Sequence, residues 1–243
     1  MKYSFISDTG LIREKNQDSI LAVENSYGDC LLIVADGIGG GKAGEVASYE
    51  TTKYFDYVFK QSGPFETVHD AIDYLQLHLG RCNRNVYDLS CKYEQYSGMG
   101  TTITGVLVTK NFAITLNCGD SRVYGYIDNK MFHLTDDDTL VNQMLKSGKI
   151  SYEEAMNHPK RHYLVKAIGI FSNVVCDVHQ VKMMDYFLIC SDGLHGYVSE
   201  EEISQVVLSE ITLVEKVNKL KDIALSKGGF DNVTIILGES DHE

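Results

Sequence analysis

Four aspartates in this 243-residue chain stand at the ends of apolar segments, where their carboxylates could bind a metal ion. Asp36, Asp120 and Asp192 follow the segments CLLIVA, FAITLNC and YFLIC, whereas Asp231 precedes the segment VTIIL. A strand that ends after an apolar segment places the next side chain at the rim of its sheet. Because one antiparallel strand starts where its neighbour ends, all four carboxylates can meet at one rim.

Carboxylates that gather at one rim repel one another unless a cation lies between them. Two of them about 4 Å apart repel by roughly 4 kcal/mol at an effective dielectric constant of 20. An all-oxygen ligand set with no nearby His or Cys favours hard ions, so the pattern predicts Mg²⁺ or Mn²⁺ rather than zinc. The alternative is that each Asp only caps its own turn. Four such positions at compatible strand ends favour the metal.

A basic side chain lies between the first two predicted strands, in the segment SDTGLIREKNQD, which carries Arg13 and Asp18. A guanidinium presents a planar fork that matches the oxygens of a tetrahedral anion. On its own Arg13 reads as a solvated loop residue. Next to a metal centre it becomes a candidate ligand for phosphate.

Short strands and two groups of helices must position these side chains. Apolar patterning predicts ten strands, at residues 3–6, 19–23, 30–35, 101–109, 112–118, 122–127, 131–135, 174–182, 186–191 and 233–237. Short joins predict antiparallel hairpins, including one between 174–182 and 186–191. One helix is predicted to start at Ala43 and a second to follow the SGP break. A helical insert is predicted over about 139–157, with a capping box of Ser151 and Glu154. A last helix is predicted to end before Gly228, with one apolar face of Val214, Val217, Leu220 and Ala224. The predicted fold class is α+β, with two packed, mostly antiparallel sheets flanked by helices.

Composition excludes several classes of function. The chain has 22 Lys and Arg against 34 Asp and Glu, a formal net charge of −12, which argues against binding to nucleic acid or to anionic membranes. No apolar segment has the length of a signal peptide or a membrane span. Six cysteines without metal-type spacing predict reduced thiols in a cytoplasmic protein. With only two prolines there is no Pro-rich linker, which indicates one domain over 1–243.

Seven motifs follow one another in an order that resembles the type 2C, metal-dependent Ser/Thr protein phosphatases. They are SDTGLIREKNQDS, VADGIGGGKAGEVAS, SGMGTT, NCGDSR, LTDDDTLVNQMLKSGKISYEEAMNHP, ICSDGL and FDNVT. Each motif alone is weak, because DG and GDS occur by chance. In order they span residues 7–234, which is almost the whole chain.

The resemblance implies a role for each matching residue in a centre of two to three Mg²⁺ or Mn²⁺ ions. Asp36 would bridge two ions, and the Gly37 carbonyl would contact one of them. Asp192 and Asp231 would complete the protein ligands of the first ion, and these three aspartates would be the catalytic residues. Asp120, together with Asp192, would hold a third, weaker ion.

Other matching residues would support the ligands or the substrate. Arg13 would bind the substrate phosphate, and Asp18 would act on the ions through waters. Asn232 would orient Asp231 or a bound water. The segment 134–158 corresponds to a flap beside the active site that influences substrate choice. The implied fold is a four-layer α-β-β-α sandwich.

The implied reaction is the hydrolysis of phosphoserine and phosphothreonine in proteins. Two ions about 3.5–4 Å apart can generate a hydroxide near neutral pH and neutralise charge on the phosphoryl group. We expect in-line attack by a metal-bridging water, with no phosphoenzyme. We expect the protein to be a monomer. Its expected partners are phosphoprotein substrates, among them a Ser/Thr kinase or the targets of that kinase.

Two positions depart from the pattern of many bacterial members, which have His where this chain has Gly41 and Asp138. If either imidazole protonates the leaving group or positions the substrate, turnover is reduced here or another group substitutes for it. His158 and His162 are candidate substitutes, although a lone surface His is usually only solvated.

Other functions fit the chain less well. The string GGGKAG at 39–44 matches a dinucleotide-binding turn, but two helices follow where a second parallel strand is needed. It is no Walker P-loop, because Ala43 follows Lys42. No cysteine stands in the C-x5-R pattern of cysteine-dependent phosphatases. Two alternatives stay open: a phosphatase-like module that binds phosphoproteins without hydrolysing them, and a metal-dependent nuclease.

Overall fold

Two antiparallel sheets form the centre of the protein in a computed structural model that describes residues 1–38 and 43–241. The first sheet has the spatial order β1 (Lys2–Asp8), β11 (Val233–Glu239), β10 (Tyr186–Cys190), β7 (Arg122–Ile127) and β8 (Lys130–His133). The second has the order β2 (Asp18–Glu24), β3 (Cys30–Ile38), β5 (Ile103–Val108), β6 (Ala113–Cys118) and β9 (Asp177–Val181), with β4 (Gly100–Thr101) paired to β3. Both sheets therefore draw strands from distant parts of the chain.

Helices cover the outer face of each sheet. They are α1 (Gly44–Lys60), α2 (Val68–Lys92), α3 (Leu140–Lys146), α4 (Tyr152–Met156), α5 (Asp192–His195), α6 (Glu200–Val207) and α7 (Leu213–Ser226), with a short 3₁₀ helix at Glu94–Tyr96. Capping boxes start three of them, and the box of Ser151 and Glu154 at α4 is the predicted one. None of the described helices is long and apolar enough to cross a membrane.

Three apolar layers separate the sheets and helices. Strand β3 is buried on both faces, so its side chains are apolar without a break. Leu31 and Ile33 pack with Phe55 of α1 and Leu75 of α2, whereas Leu32 packs between the sheets. A third cluster joins the first sheet to α5, α6 and α7. These layers confirm the predicted α+β sandwich, in the order α-β-β-α.

Several local predictions are wrong. The segments 174–182 and 186–191 form no hairpin, because β9 pairs with β6 in one sheet while β10 pairs with β7 and β11 in the other. Val214 lies outside the buried face of α7, with 59% of its surface exposed. The helices α5 and α6 were not predicted. The string GGGKAG and the Gly41 departure fall mainly on residues 39–42, which lie outside the described residues.

Candidate functional site

The aspartates meet where one rim of each sheet comes together, so the site is built by both sheets rather than by one. Asp36 lies in β3 and Asp120 follows β6, both from the second sheet. Asp192 directly follows the β10–Ser191 segment and begins α5, and Asp231 precedes β11. The prediction of a single rim within one antiparallel sheet is therefore wrong in that detail.

The electrostatics of these carboxylates show how closely they are grouped. Burial first, and then the charges of the neighbouring aspartates, raise the pKa of Asp36 and of Asp192 well above the usual value. Burial and Asp137 raise the pKa of Asp120 to about 7. A group of like charges at this depth needs protons or a cation to stay folded.

Asp18 adds a fifth carboxylate, which stands directly opposite Asp36 in the pairing of β2 with β3. The Ser191 hydroxyl donates a hydrogen bond to its Oδ2 over 2.9 Å, but its Oδ1 is buried without a hydrogen-bond partner among the described residues. Burial is the largest cause that raises the pKa of Asp18 to about 6. Because the described protein groups give this buried carboxylate oxygen no partner, it fits a water or a cation as its partner.

Two neighbouring threonines hold the backbone of Asp36. The Thr102 hydroxyl accepts a hydrogen bond from the Asp36 amide over 2.9 Å, and the Thr101 hydroxyl donates to the Asp36 carbonyl over 2.8 Å. These threonines explain the SGMGTT motif, whose role the sequence did not reveal. At Gly37 an added Cβ would lie 2.4 Å from the Gly44 carbonyl oxygen, so only glycine fits this backbone approach.

Arg13 reaches the centre from the loop between β1 and β2. Its Nη2 donates to Asp231 Oδ2 over 2.7 Å, and half of its side chain is exposed. Burial opposes the charged form of Arg13, but the bond to Asp231 and the other carboxylates outweigh it and raise its pKa. The guanidinium therefore lies between the carboxylates and solvent, where a phosphate could approach.

Asn232 fixes the loop that carries Arg13. Its side-chain amide donates to the carbonyls of Thr9 and Lys15 over 2.8 and 2.9 Å, and its Oδ1 accepts from the Gln17 amide over 2.8 Å. Its contact with Asp231 is through the backbone, because the Asn232 amide donates to Asp231 Oδ1 over 2.9 Å. The Asn232 side chain thus positions the loop of Arg13, and its backbone amide holds Asp231.

A histidine also lies in the site, contrary to the prediction of an all-oxygen set with no nearby His. Ligand atoms of Asp120, His162 and Asp192 all lie within 4.8 Å of one another. His162 Nδ1 is 3.9 Å from Asp192 Oδ2. The sequence named His162 only as a candidate substitute for the histidines absent at positions 41 and 138, and nothing local links position 162 to positions 120 and 192. His158 instead accepts a hydrogen bond from the Lys160 amide in a local turn.

The second departure, Asp138, is a structural link between the segment 134–158 and the Asp120 turn. Its Oδ2 accepts from the Gly119 amide over 3.1 Å, and its amide donates to the Gly119 carbonyl over 2.8 Å. Lys166 Nζ lies 2.9 Å from Asp138 Oδ1 and 2.9 Å from Asp177 Oδ2. Both oxygens of Asp138 accept, one from the Gly119 amide and one from Lys166. A neutral histidine has only one acceptor nitrogen, so it could not make both bonds.

Comparison with known proteins agrees with this geometry. A family model described as Protein phosphatase 2C matches residues 13–224. The Serine/threonine phosphatase stp of Listeria monocytogenes is 35% identical, with 99% of this chain and 96% of the relative covered. Protein phosphatase PhpP of Streptococcus pneumoniae is 34% identical, with 100% of this chain and 99% of the relative covered.

Solved structures give the same result. The crystal structure of Serine/threonine phosphatase Stp1 from Staphylococcus aureus superposes with a TM-score of 0.94 at 34% identity, covering 99% of this chain and 95% of that one. The serine/threonine phosphatase PstP/Ppp of Mycobacterium tuberculosis superposes with a TM-score of 0.88 at 32% identity, covering 99% of both chains. The resemblance found in the sequence is confirmed, and the chain belongs to the protein phosphatase 2C family.

Proposed function

We propose that this protein hydrolyses phosphoserine and phosphothreonine in proteins with Mg²⁺ or Mn²⁺ as its cofactor. The observation that carries the proposal is the meeting of carboxylates from both sheets beside the half-exposed guanidinium of Arg13. The names of the relatives support protein phosphoserine or phosphothreonine as the substrate. The same arrangement would attract an anion only after cations neutralise the carboxylates.

The residues present fit a centre of two to three divalent ions. Hard oxygen donors suit these ions, and the unpaired Oδ1 of Asp18 and the raised pKa of Asp36 indicate a charge that protein groups alone do not balance. The proposed protein ligands are Asp36, the Gly37 carbonyl, Asp120, Asp192 and Asp231. When bound, such ions supply an activated water and neutralise charge on the phosphoryl group.

Arg13 is proposed to bind the phosphate of the substrate. Both carboxylate oxygens of Asp231 are engaged in hydrogen bonds, Oδ2 with Arg13 and Oδ1 with the Asn232 amide. If Asp231 serves as a metal ligand, Arg13 gives up or shares Oδ2, and its fork then faces the substrate. Asn232 keeps the Arg13 loop in place while Arg13 moves from Asp231 to the substrate. Asp18 is proposed to act on the ions through waters.

Direct hydrolysis without a phosphoenzyme is supported by the state of the nearby nucleophiles. Burial raises the pKa of the Cys190 thiol to about 12, so this thiol stays protonated at neutral pH. Ser191 donates to Asp18 like an activated serine, but its side chain is fully buried and cannot reach a substrate. Within the described residues, neither group at the end of β10 can form a covalent intermediate.

We further propose that residues 1–243 form a single catalytic domain, with 134–158 as a flap beside the site. The flap carries α3 and α4 and is attached to the Asp120 turn through Asp138. Its proposed role is to influence which phosphoproteins reach the centre, including a Ser/Thr kinase or its targets. A monomer in the reducing cytoplasm is proposed, and the six free thiols agree with that compartment.

A hydrolysis assay with a phosphothreonine peptide tests the proposal. We expect phosphate release that requires Mn²⁺ or Mg²⁺ and is lost in Asp192→Ala. Asp222→Asn is the matched control, because Asp222 is an exposed acid on α7 and its replacement should leave activity unchanged. Phosphopeptide binding without release at millimolar Mn²⁺ would establish the non-hydrolytic binding module instead.

The nuclease alternative is tested in the same buffer with DNA and RNA. We expect no cleavage, because the acidic chain offers few basic groups for a phosphate backbone. Cleavage that disappears in Asp36→Asn would replace the proposed function with a nuclease.

A further inference from the structure

His162 is a histidine that lies beside two of the aspartates of the centre, Asp120 and Asp192. Its Nδ1 lies 3.9 Å from Asp192 Oδ2, and the ligand atoms of Asp120, His162 and Asp192 lie within 4.8 Å of one another. His162 is 59% exposed at its side chain, so it stands on the solvent side of this group, while Asp120 is buried.

Backbone hydrogen bonds connect the segment that carries His162 to the turn that carries Asp120. The Leu140 amide donates to the carbonyl of Tyr163, the neighbour of His162, over 2.8 Å. The Val165 amide donates to the Asp138 carbonyl over 2.8 Å, and Asp138 in turn pairs with Gly119, the neighbour of Asp120. The segment with His162 and the turn with Asp120 are therefore parts of one connected structure.

We propose that His162 supplies an imidazole ligand, through Nδ1, to the ion held by Asp120 and Asp192. The proposal rests on the metal centre put forward above and refines its ligand set. It makes the outer site a mixed nitrogen and oxygen site, and it predicts that this site prefers Mn²⁺ to Mg²⁺. Imidazole suits transition metals, whereas Mg²⁺ keeps oxygen ligands and waters.

The distances are close to those that one shared ion requires. With metal–ligand bonds of about 2.1 Å, adjacent ligands of an octahedral site are about 3.0 Å apart and opposite ones about 4.2 Å. The 3.9 Å from His162 to Asp192 falls between these values, and the 4.8 Å limit of the group exceeds the larger by less than 1 Å. Small side-chain rotations would bring all three atoms to one ion.

Ligation also sets the tautomer of His162. Arg161 Nε donates to His162 Nε2 over 2.9 Å, which places the proton of the neutral ring on Nδ1. When Nδ1 binds an ion, that proton moves to Nε2 through solvent, and Arg161 must leave because two donors cannot face each other. Arg161 is exposed, so its guanidinium can return to water. The imidazole therefore gives up the hydrogen bond from Arg161 and gains the ion, with no net change in the number of protons on the ring.

Pulsed electron paramagnetic resonance of the Mn²⁺-loaded protein tests the proposal directly. We expect nitrogen modulation from a bound imidazole, which changes when histidine is labelled with ¹⁵N. In His162→Gln the modulation should vanish and the weakest Mn²⁺ site should bind at least about 10-fold less tightly. His158→Gln is the matched control, since it changes a half-buried His close by in the chain, whose Nδ1 accepts from the Lys160 amide, and it should keep the modulation.

Each result supports or overturns the inference. Modulation that is absent from the unmodified protein, or that persists in His162→Gln, would overturn the histidine ligand. If the protein then still hydrolysed a phosphopeptide with Mn²⁺, only this inference would fail and the proposed function would stand. If the protein bound no Mn²⁺ and released no phosphate, both would fail.

Discussion

At the scale of single residues, the pair Arg13 and Asp231 links the proposed metal site to the proposed phosphate site. Their 2.7 Å hydrogen bond joins a half-exposed cation to a carboxylate of the centre. The sequence indicated both residues, because a base in a polar loop and an acid before a strand are local features. It could not indicate that residues 13 and 231 touch, since that contact depends on the pairing of β1 with β11.

Replacing Arg13 with lysine should weaken substrate binding while metal binding persists. Lysine keeps the charge but loses the planar fork, so we expect kcat/KM for a phosphothreonine peptide to fall about 10–100-fold, mainly through KM. Steady-state kinetics at saturating Mn²⁺ measures this change. Lys15→Ala, which removes an exposed cation of the same loop, should have little effect. An equal loss in both variants would show that Arg13 acts only through general charge.

Replacing Asp36 with asparagine should stabilise the metal-free protein, and more so at pH 8 than at pH 5. Folding raises the pKa of Asp36 well above its value in the unfolded chain. Protonated Asp36 therefore leaves the folded state stable at low pH, and that stability is lost as the pH rises through the raised pKa. Asparagine removes the charge that causes this loss.

The measurement is the difference in melting temperature between Asp36→Asn and the unmodified protein, with a chelator present, across this pH range. Buried histidines titrate in both proteins and cancel from the difference. Asp222→Asn should show no trend with pH. A difference that is constant or shrinks as pH rises would contradict strong repulsion at Asp36.

At the scale of elements, strand ends were more predictable from sequence than strand partners. All ten predicted strands exist, because period-two burial and apolar segments are local signals. The predicted hairpin of β9 and β10 is absent, since a short join can also lead from one sheet to the other. The helix α6 was missed because its first turn, Glu200–Glu202, is acidic and its buried face has only three residues.

The proposed flap at 134–158 is attached to the Asp120 turn through Asp138, so Asp138→Ala should disturb that turn. The variant removes the acceptor of the Gly119 amide and leaves Lys166 with one carboxylate fewer. We expect Mn²⁺ affinity at the weakest site to fall about 10–100-fold, as happens when groups behind metal ligands are lost. Asp138→Asn keeps an acceptor for the amide and should lose less. Calorimetric titration with Mn²⁺ compares the two, and unchanged affinity in Asp138→Ala would contradict the link.

At the scale of the whole molecule, each sheet supplies part of the centre, so the sandwich must be assembled before the ligands meet. The formal charge of −12 includes Asp36, Asp120, Asp192 and Asp231, which we propose as metal ligands. Two or three divalent ions would bring the net charge to roughly −8 to −6. With those proposed ions bound, the acidic chain would present a locally positive site to an anionic substrate.

Anomalous diffraction from crystals grown with Mn²⁺ tests the central claim, that aspartates from both sheets hold the ions. We expect two or three peaks at the manganese edge, each within about 2.5 Å of carboxylate oxygens of Asp36, Asp120, Asp192 or Asp231. The outermost peak should also contact His162. Crystals of Asp192→Ala should lose the peaks that this residue shares. Peaks elsewhere, or none at this centre in a protein that hydrolyses a phosphopeptide, would show that these aspartates do not hold the ions.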